Sequence, residues 1–397
     1  MNVPLLDLGP QIKTLRNDII QAVTKVIDST QYILGPEVTS LERDVAAYCQ
    51  ADFGIGVSSG TDALVMTMMA MGIGPGDKVL TTPYTFFATI GAVLRVGAKP
   101  VFVDIDQESF NMDPAALEDA LWQERNANSR IRAILPIHLF GQCADMDRIL
   151  KLARKYEVPV VEDAAQAIGA CCPVTDDQGN IEWKKAGSMG LTGCFSFFPS
   201  KNLGGIGDGG LVTTNDEEFV EILRSCRNHG ANPKYYHSRV GGNFRLDPVQ
   251  AVVLTIKLRH LEQWHDMRRA NSRIYRKLFM DKGLFHAPVE LPVESFADVP
   301  GAEEQNHHIY NQFIIRVPDR DALRSYLHAH SIGCEIYYPL CLHQQECVKD
   351  YNDQVFPVAE KAARETLALP IYPELTEEQI SFVVDTIASF YASISLP

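Results

Sequence analysis

The chain has 397 residues, of which 46% are hydrophobic and 22% are charged, and its formal net charge is −14. This composition is typical of a globular protein with a large core and room for a second, smaller domain, and the acidic balance argues against nucleic acid as the main partner. We find no apolar run of membrane-spanning length and no signal-peptide pattern in residues 1–10. The nine cysteines are scattered without Cys-x-x-Cys pairs, which favours ordinary thiols over a zinc site and predicts a cytoplasmic protein.

The first half of the sequence predicts an α/β domain. Helical spacing over residues 11–27 and 37–49 comes first, and short, nearly continuous apolar runs then alternate with helix-like segments up to residue 214. Such runs are typical of strands that are covered on both faces. We therefore predict a mostly parallel, seven-stranded sheet between layers of helices. The predicted strands are 54–58, 78–82, 100–103, 131–137, 158–161, 193–198 and 210–213.

The second part of the sequence predicts a linking helix and a smaller α+β domain. Asp247 followed by a proline is a helix-start pattern, and the helix should continue to about residue 279, with a break allowed. Residues 285–308 are rich in proline and glutamate and predict a loop. We place the domain division at residues 1–250 and 251–397. The predicted elements beyond the loop are strands 312–317 and 334–338 and helices 321–330, 358–367 and 377–392.

A glycine-rich loop follows the predicted strand 193–198. Residues 205–210 satisfy the pattern G-x-G-x-x-G, but a dinucleotide-binding loop must open a helix, and here a β-like run follows. A dinucleotide site is therefore disfavoured. We interpret the glycines as a turn that brings the backbone close to a ligand.

Four features near predicted strand ends indicate a different ligand. Lys201 lies just after an apolar strand, where an ammonium group is costly to desolvate, and Asp163 ends another strand. The turn Ser59–Thr61 joins a strand to a helix and offers free backbone N–H groups to an anion, although it would also serve as an N-cap. Phe86 follows a strand and would either stack on a flat ring or pack in the core.

Together these features fit pyridoxal 5′-phosphate (PLP), which has a ring, a phosphate, a protonated nitrogen and an aldehyde. Lys201 would supply the amine, Asp163 the acid for the ring nitrogen, Phe86 the stacking face and Ser59–Thr61 the phosphate contacts. A desolvated lysine has a lowered pKa, which suits a nucleophile and base.

Across nearly its whole length the chain also resembles the nucleotide-sugar aminotransferases of the DegT/StrS type, which are fold-type I PLP enzymes. The stretch around Lys201 is specific to this family, and the combination of all the motifs in this order is more specific still. The matching stretches are ILGPEV (33–38), VSSGTDAL (57–64), TFFAT (85–89), GAKPVFVDID (97–106), PIHLFGQCADMD (136–147), EDAAQAIGA (162–170), FSFFPSKNLGGIGDGG (195–210), RNHG (227–230) and GGNFRLDPVQA (241–251).

This resemblance implies a role for each matching residue. Lys201 resembles the lysine that forms the internal aldimine with the cofactor, and Asp163 resembles the acid on its pyridine nitrogen. The other implied cofactor contacts are Gln166 near the 3-hydroxyl, Phe86 on the ring, Gly60, Thr61 and Ser196 on the phosphate, and Asn243 on the phosphate of the partner subunit. The resemblance therefore implies a homodimer with shared active sites.

Two features depart from the family pattern. Ile168 stands where many relatives have histidine, which puts one polar contact in doubt. The segment 171–188 is longer than the usual connection, and we predict a surface hairpin around Asp177–Gly179.

The expected reaction is transamination in two stages, with glutamate as the amino donor and Lys201 as the single base. The expected acceptor is a UDP-linked 3-keto-N-acetylhexosamine or its uronic acid, used in the synthesis of amino sugars for lipopolysaccharide and other surface polysaccharides. A 4-keto sugar linked to UDP or dTDP is the alternative, and a dehydratase or PLP-binding regulator is a weaker one. His229, Tyr338 and His343 are candidate sugar contacts, with surface exposure or core packing as the alternative for the last two.

Overall fold

The computed structural model describes residues 1–176, 178–285, 287–348 and 353–394. Two helices open the chain, and the α/β region that follows alternates strands with helices up to residue 227. The elements are α1 (Gly9–Ser29), α2 (Pro36–Tyr48), β1 (Phe53–Val57), α3 (Gly60–Ala70), β2 (Lys78–Thr81), α4 (Ala88–Arg95), β3 (Lys99–Phe102), α5 (Pro114–Asn126), β4 (Ile131–Ile134), α6 (Met146–Tyr156), β5 (Val161–Asp163), β6 (Cys171–Thr175), β7 (Ile181–Lys185), β8 (Thr192–Ser196), β9 (Gly210–Thr214) and α7 (Glu217–Arg227).

Seven of these strands form the central sheet. Four of them form one part of the sheet, in the order β1-β9-β8-β5, and three form the other part, in the order β3-β2-β4. Parallel bridges from Ile134 to Val160 and from Ile137 to Asp163 join these two parts of the sheet between β4 and β5. Strand β9 runs antiparallel to both neighbours, whereas β5/β8, β2/β3 and β2/β4 are parallel pairs. The predicted mostly parallel, seven-stranded sheet is confirmed.

Helices cover both faces of this sheet, because its strands are apolar on both sides. Leu41 of α2, Leu117 of α5 and Ile149 of α6 belong to the core on one face. Met66 of α3 and Leu223 of α7 belong to the core on the other. The sheet therefore lies in the middle of the region, and the ends of its strands are left to form a site.

The rest of the chain forms a linking helix pair and a smaller layer. The predicted break in the long helix lies between residues 258 and 261, and a separate apolar core joins the elements beyond it. This core supports a smaller second domain, although the division at residue 250 stays a prediction. The elements are α8 (Pro248–Leu258), α9 (Leu261–Asp281), β10 (Phe313–Arg316), α10 (Arg320–Ala329), α11 (Pro357–Glu365), β11 (Thr366–Leu369) and α12 (Glu377–Ile394).

Two predictions in this part are wrong. Residues 334–338 do not form a strand, because only Glu335 pairs, through a single bridge to Ala368. The helix predicted over 358–367 ends at Glu365, and the next four residues form β11, antiparallel to β10.

The long connection before β8 is the hairpin that we predicted. Strands β6 and β7 pair antiparallel from Cys171–Lys185 to Thr175–Ile181. Asp177, at the predicted turn, lies outside the described residues. In the part of the chain that the structure describes, no helix is long and apolar enough to cross a membrane.

Candidate active site

A cavity of about 680 Å³ opens where β1, β2, β5 and β8 end. Nine of the residues predicted from the sequence line it, and they come from turns that are far apart in the chain. They are Ser59, Gly60, Thr61, Phe86, Asp163, Gln166, Ser196, Lys201 and Tyr338.

Lys201 lies in the tight turn that follows β8. Its backbone N–H donates to the carbonyl of Phe198 at 2.8 Å, so the turn fixes the start of the side chain. Burial lowers the pKa of Lys201 from its usual 10.5 to about 8, and the negative charge of Asp163 opposes this shift. A substantial fraction of this amine is therefore uncharged at mildly alkaline pH, as a nucleophile or base requires.

Asp163 is buried at the end of β5, with both carboxylate oxygens accepting hydrogen bonds. The hydroxyl of Thr89 donates to Oδ2 at 2.8 Å, and the backbone N–H of Ala165 donates to Oδ1 at 3.3 Å. Burial raises the pKa of Asp163, whereas the hydrogen bonds from Thr89 and Ala165 and the charge of Lys201 oppose the shift. A cationic N–H group in the cavity would keep this carboxylate ionised.

The neighbouring acid, Glu162, has a structural role. Its carboxylate accepts the backbone N–H groups of Gly187, Met189 and Gly190 at 2.7, 2.8 and 2.7 Å. It also pairs with Nε2 of the buried His138 at 2.9 Å. Glu162 therefore holds the segment between the hairpin and β8 and does not line the cavity.

The start of α3 lies at one end of the cavity, where Ser59, Gly60 and Thr61 line it. Ser59 Oγ accepts the backbone N–H of Asp62 at 3.0 Å, so this side chain caps the helix, as the alternative interpretation proposed. Gly60 and Thr61 are the first two residues of the helix, where N–H groups lack intrahelical partners and favour anions. A Cβ on Gly60 would lie 2.6 Å from the Ser196 Cβ, so only glycine lets β8 approach the helix start so closely.

Aromatic and amide groups also line the cavity. Gln166 Oε1 accepts the backbone N–H of Phe140 at 2.7 Å, and its Nε2 donates to the Tyr338 hydroxyl at 3.1 Å. The Phe86 ring is 59% exposed, with its centroid 6.2 Å from that of Tyr338. An exposed aromatic face beside a buried carboxylate, an amine and a helix start fits PLP, in line with the prediction from the sequence.

Three predicted residues do not line the cavity of this chain. His343 is buried, with Nε2 3.2 Å from a carboxylate oxygen of Glu360 and its ring centroid 4.9 Å from that of Phe356, so its surroundings match the core-packing alternative. His229 is exposed, and Asn243 bridges Asn228 in an extended segment beside β1. The resemblance assigned Asn243 to the partner's site, a role that the single chain does not test.

Sequence reasoning missed several cavity residues, of which Thr89 is the clearest. Its hydroxyl holds Asp163, and it lies three residues after Phe86, where the chain turns into α4 and both side chains reach the cavity. Helical spacing from Phe86 was the signal that would have found it. Asp208, Glu335 and Tyr337 also line the cavity, and only the fold brings them there.

Comparison with known proteins identifies the family. A family model described as the DegT/DnrJ/EryC1/StrS aminotransferase family matches residues 13–388. The chain belongs to this family. The predicted resemblance is thereby confirmed.

Three relatives match over nearly the full length. A protein named pleiotropic regulatory protein, from Geobacillus stearothermophilus, is 44% identical and covers 98% of this chain and 99% of its own. The UDP-N-acetyl-3-dehydro-alpha-D-glucosamine 3-aminotransferase of Acidithiobacillus ferrooxidans is 41% identical, with 97% of both chains covered. The UDP-2-acetamido-2-deoxy-3-oxo-D-glucuronate aminotransferase of Pseudomonas aeruginosa is 37% identical, covering 96% of this chain and 98% of its own.

Solved structures agree with this assignment. An aminotransferase of the same family from Brucella abortus superposes with a TM-score of 0.88 at 36% identity, covering 98% of this chain and 99% of its own. The Bacillus subtilis protein NtdA, solved with bound cofactor PMP, superposes with a TM-score of 0.84 at 28% identity, covering 98% and 85%. The protein is therefore an aminotransferase, and its cofactor is PLP.

Proposed function

We propose that this aminotransferase transfers an amino group from L-glutamate to C3 of a UDP-linked 3-keto-N-acetylhexosamine or its uronic acid. The cavity that joins Lys201 to Asp163 beside the start of α3 carries the proposal, because it combines a base, a ring-nitrogen partner and an anion-binding end. The substrate class follows from the relatives of Acidithiobacillus ferrooxidans and Pseudomonas aeruginosa, whose names describe amination of such sugars.

In this proposal each cavity residue has one task. Lys201 would bind the cofactor covalently and, when released, would carry a proton from the donor's α-carbon to C4′ of the cofactor. With the acceptor bound, it would carry a proton from C4′ to C3 of the sugar. Asp163 holds the protonated ring nitrogen, and Thr89 holds Asp163. When bound, the cofactor supplies an electron-withdrawing ring that stabilises negative charge at the reacting carbon.

The remaining residues bind and shield. The first N–H groups of α3, at Gly60 and Thr61, bind the phosphate with Ser196 beside them. Phe86 covers the ring and keeps water from the reacting carbon, while Gln166 and Tyr338 orient its polar edge.

We also propose that a second copy of the chain completes the site. Among the described residues that line the cavity, Lys201 is the sole lysine, arginine or histidine, yet a cofactor phosphate, a diphosphate and two donor carboxylates bring several negative charges. The loop 229–245 folds back on itself through a bridge from Ala231 to His237, and it holds Asn243 and the basic residues Lys234, Arg239 and Arg245. In a homodimer this segment would reach the partner's cavity and supply the missing contacts.

A second candidate function is regulation, because the relative at 44% identity is named a pleiotropic regulatory protein. A regulator needs to bind a ligand but not to turn it over. An aminotransferase converts an acceptor into an aminated product, whereas a regulator binds its ligand unchanged, so a measurement of turnover distinguishes the two functions.

The test is an acceptor panel. The cofactor-loaded protein is incubated with L-glutamate and, separately, UDP-3-keto-N-acetylglucosamine, its uronic acid, and UDP- and dTDP-linked 4-keto sugars. We expect amination of a UDP-3-keto sugar, measured by mass spectrometry, and none with Lys201→Ala. Amination of 4-keto sugars alone would show that the C3 assignment is wrong. Binding without turnover of any acceptor would favour the regulator.

A further inference from the structure

The loop that carries Lys201 is held by a second buried lysine. Lys257 lies on α8, only 1% exposed, and its Nζ donates to the carbonyl oxygen of Gly204 at 2.6 Å. Gly204 is three residues after Lys201. The cavity lining does not include Lys257, so it touches the site only through the loop.

A lysine in this position is costly. Burial lowers the pKa of Lys257 from 10.5 to about 8, and burial is the cause of the shift. A buried ammonium is tolerated when its N–H groups find strong acceptors. Methionine at this place would fill similar space without that cost, so the hydrogen bond to Gly204 is the feature that lysine adds.

The loop is compact enough to transmit the position of this carbonyl to Lys201. A Cβ on Gly204 would lie 2.3 Å from the Pro199 carbonyl oxygen, so the chain folds back on itself there. The backbone N–H groups of Lys201 and Gly205 donate to Phe198 and Phe197, each at 2.8 Å. A shift of Gly204 therefore moves the whole turn.

Other contacts fix the loop on both sides of the carbonyl. Gln250, also on α8, accepts the backbone N–H of Ile206 through Oε1 at 2.9 Å. Asn202, next to Lys201, accepts from Asn311 Nδ2 at 2.8 Å. Lys257 binds between these two points, at the centre of the turn.

We propose that Lys257 is a positioning residue, which fixes the lysine loop through Gly204 and so sets the place of the Lys201 amine. This rests on the proposed function in one respect, the role of Lys201 as the reacting amine. The contact between Lys257 and the loop does not depend on any substrate. The order of the loop and the activity of the enzyme can therefore be measured separately.

The test compares three variants. Lys257→Met removes the donor and keeps the apolar stem, Lys257→Arg keeps a charged donor, and Val253→Ala trims a buried side chain on the same helix as the matched control. Amide hydrogen exchange in peptides covering residues 198–206 is measured on cofactor-free protein, and kcat and KM for glutamate are measured on loaded enzyme.

With Lys257→Met we expect exchange in the loop to be about tenfold faster. We expect kcat to fall by about tenfold to a hundredfold with KM within about twofold, because the amine is misplaced but donor binding is not. Lys257→Arg should recover part of kcat, and Val253→Ala should lower thermal stability without changing loop exchange. If Lys257→Met does not fold, Lys257→Gln, whose amide ends short of Gly204, replaces it.

The proposal is overturned if loop exchange in Lys257→Met equals that of the unaltered protein, or if Val253→Ala changes it as much. It is also overturned if loop exchange rises while kcat stays the same. Should every acceptor fail, the exchange result still decides whether Lys257 holds the loop, and the failure then concerns the proposed function alone.

Discussion

At the scale of single residues, the end of β5 shows how adjacent side chains acquire different tasks. Successive residues of a strand point to opposite faces of the sheet. Glu162 is on the side where three backbone N–H groups satisfy its carboxylate, and Asp163 is on the side of the cavity. The Asp163 carboxylate accepts one hydrogen bond from the Thr89 hydroxyl and one longer hydrogen bond from the Ala165 backbone N–H. It is therefore still able to bind a cation.

Lys201 gives a prediction of pH dependence. Its pKa is lowered to about 8, so the uncharged, nucleophilic fraction of the amine rises as the pH increases from about 7 to 9. We expect the rate at which cofactor-free protein forms the visible band of bound PLP to rise over this range, with a midpoint near the pKa. Stopped-flow absorbance measures it.

The control for this experiment is Lys201→Ala, which should bind PLP without forming the same band. A rate that stays level between about pH 7 and 9 and rises only near the usual lysine pKa would contradict the lowered pKa.

At the scale of elements, apolar runs predicted the seven central strands because most of their residues are buried, although β5 lies at Val161–Asp163 instead of 158–161. Residues 334–338 have a similar composition, but Tyr84 donates to the carbonyl of Tyr337 and Gln166 donates to the Tyr338 hydroxyl, so this segment lines the cavity instead of pairing along its length. Such tertiary contacts have no local signal. The same holds for His343, five residues on, which packs in the core beside α11.

The glycines near Lys201, which we interpreted from the sequence as a turn that approaches a ligand, have a further role in the structure. They allow protein segments to approach one another. A Cβ on Gly210 would lie 2.5 Å from the carbonyl carbon and oxygen of Ser59 and 2.8 Å from the amide nitrogen of Gly60. β9 therefore supports the turn that begins α3.

We accordingly expect Gly210→Ala to lower the free energy of unfolding by about 1–3 kcal/mol through overpacking. It should also weaken PLP binding, because the start of α3 is displaced from the phosphate position. Urea denaturation of cofactor-free protein and PLP titration measure the two effects. Gly74→Ala is the matched control, since the nearest atom to its Cβ is the Val96 carbonyl oxygen at 3.8 Å. Equal behaviour of the two variants would exclude this role for Gly210.

At the scale of the whole molecule, one chain brings together most of the residues predicted to contact the cofactor but leaves Asn243 and His229 outside its own cavity. No pattern within one sequence reveals what a second copy contributes, so the assignment of Asn243 to the partner's site came from resemblance alone, and His229 stays a predicted sugar contact. The exposed segment between them includes Tyr235, Tyr236 and Val240, at 79%, 71% and 82% exposure. Exposed apolar side chains in such a cluster favour an interface with another chain.

Mixed dimers test whether active sites are shared. Lys201→Ala loses the base but can still offer Asn243 to its partner, whereas Asn243→Ala has the opposite defect. Denatured and refolded together in equal amounts, the two inactive variants should recover about a quarter of the unaltered activity, since half of the dimers then contain one complete site. Each variant refolded alone is the control. A mixture no more active than the separate variants would show that Asn243 does not act across subunits.

The central claim is that Lys201 and its surroundings carry out transamination. The most direct measurement adds L-glutamate, without acceptor, to the PLP-loaded protein and follows the visible band and the release of 2-oxoglutarate. We predict loss of the band with release of about one equivalent of 2-oxoglutarate per chain, and return of the band when a UDP-3-keto sugar is added. Lys201→Ala should show neither change. A band that glutamate leaves unaltered, with no 2-oxoglutarate formed, would contradict glutamate transamination at this site.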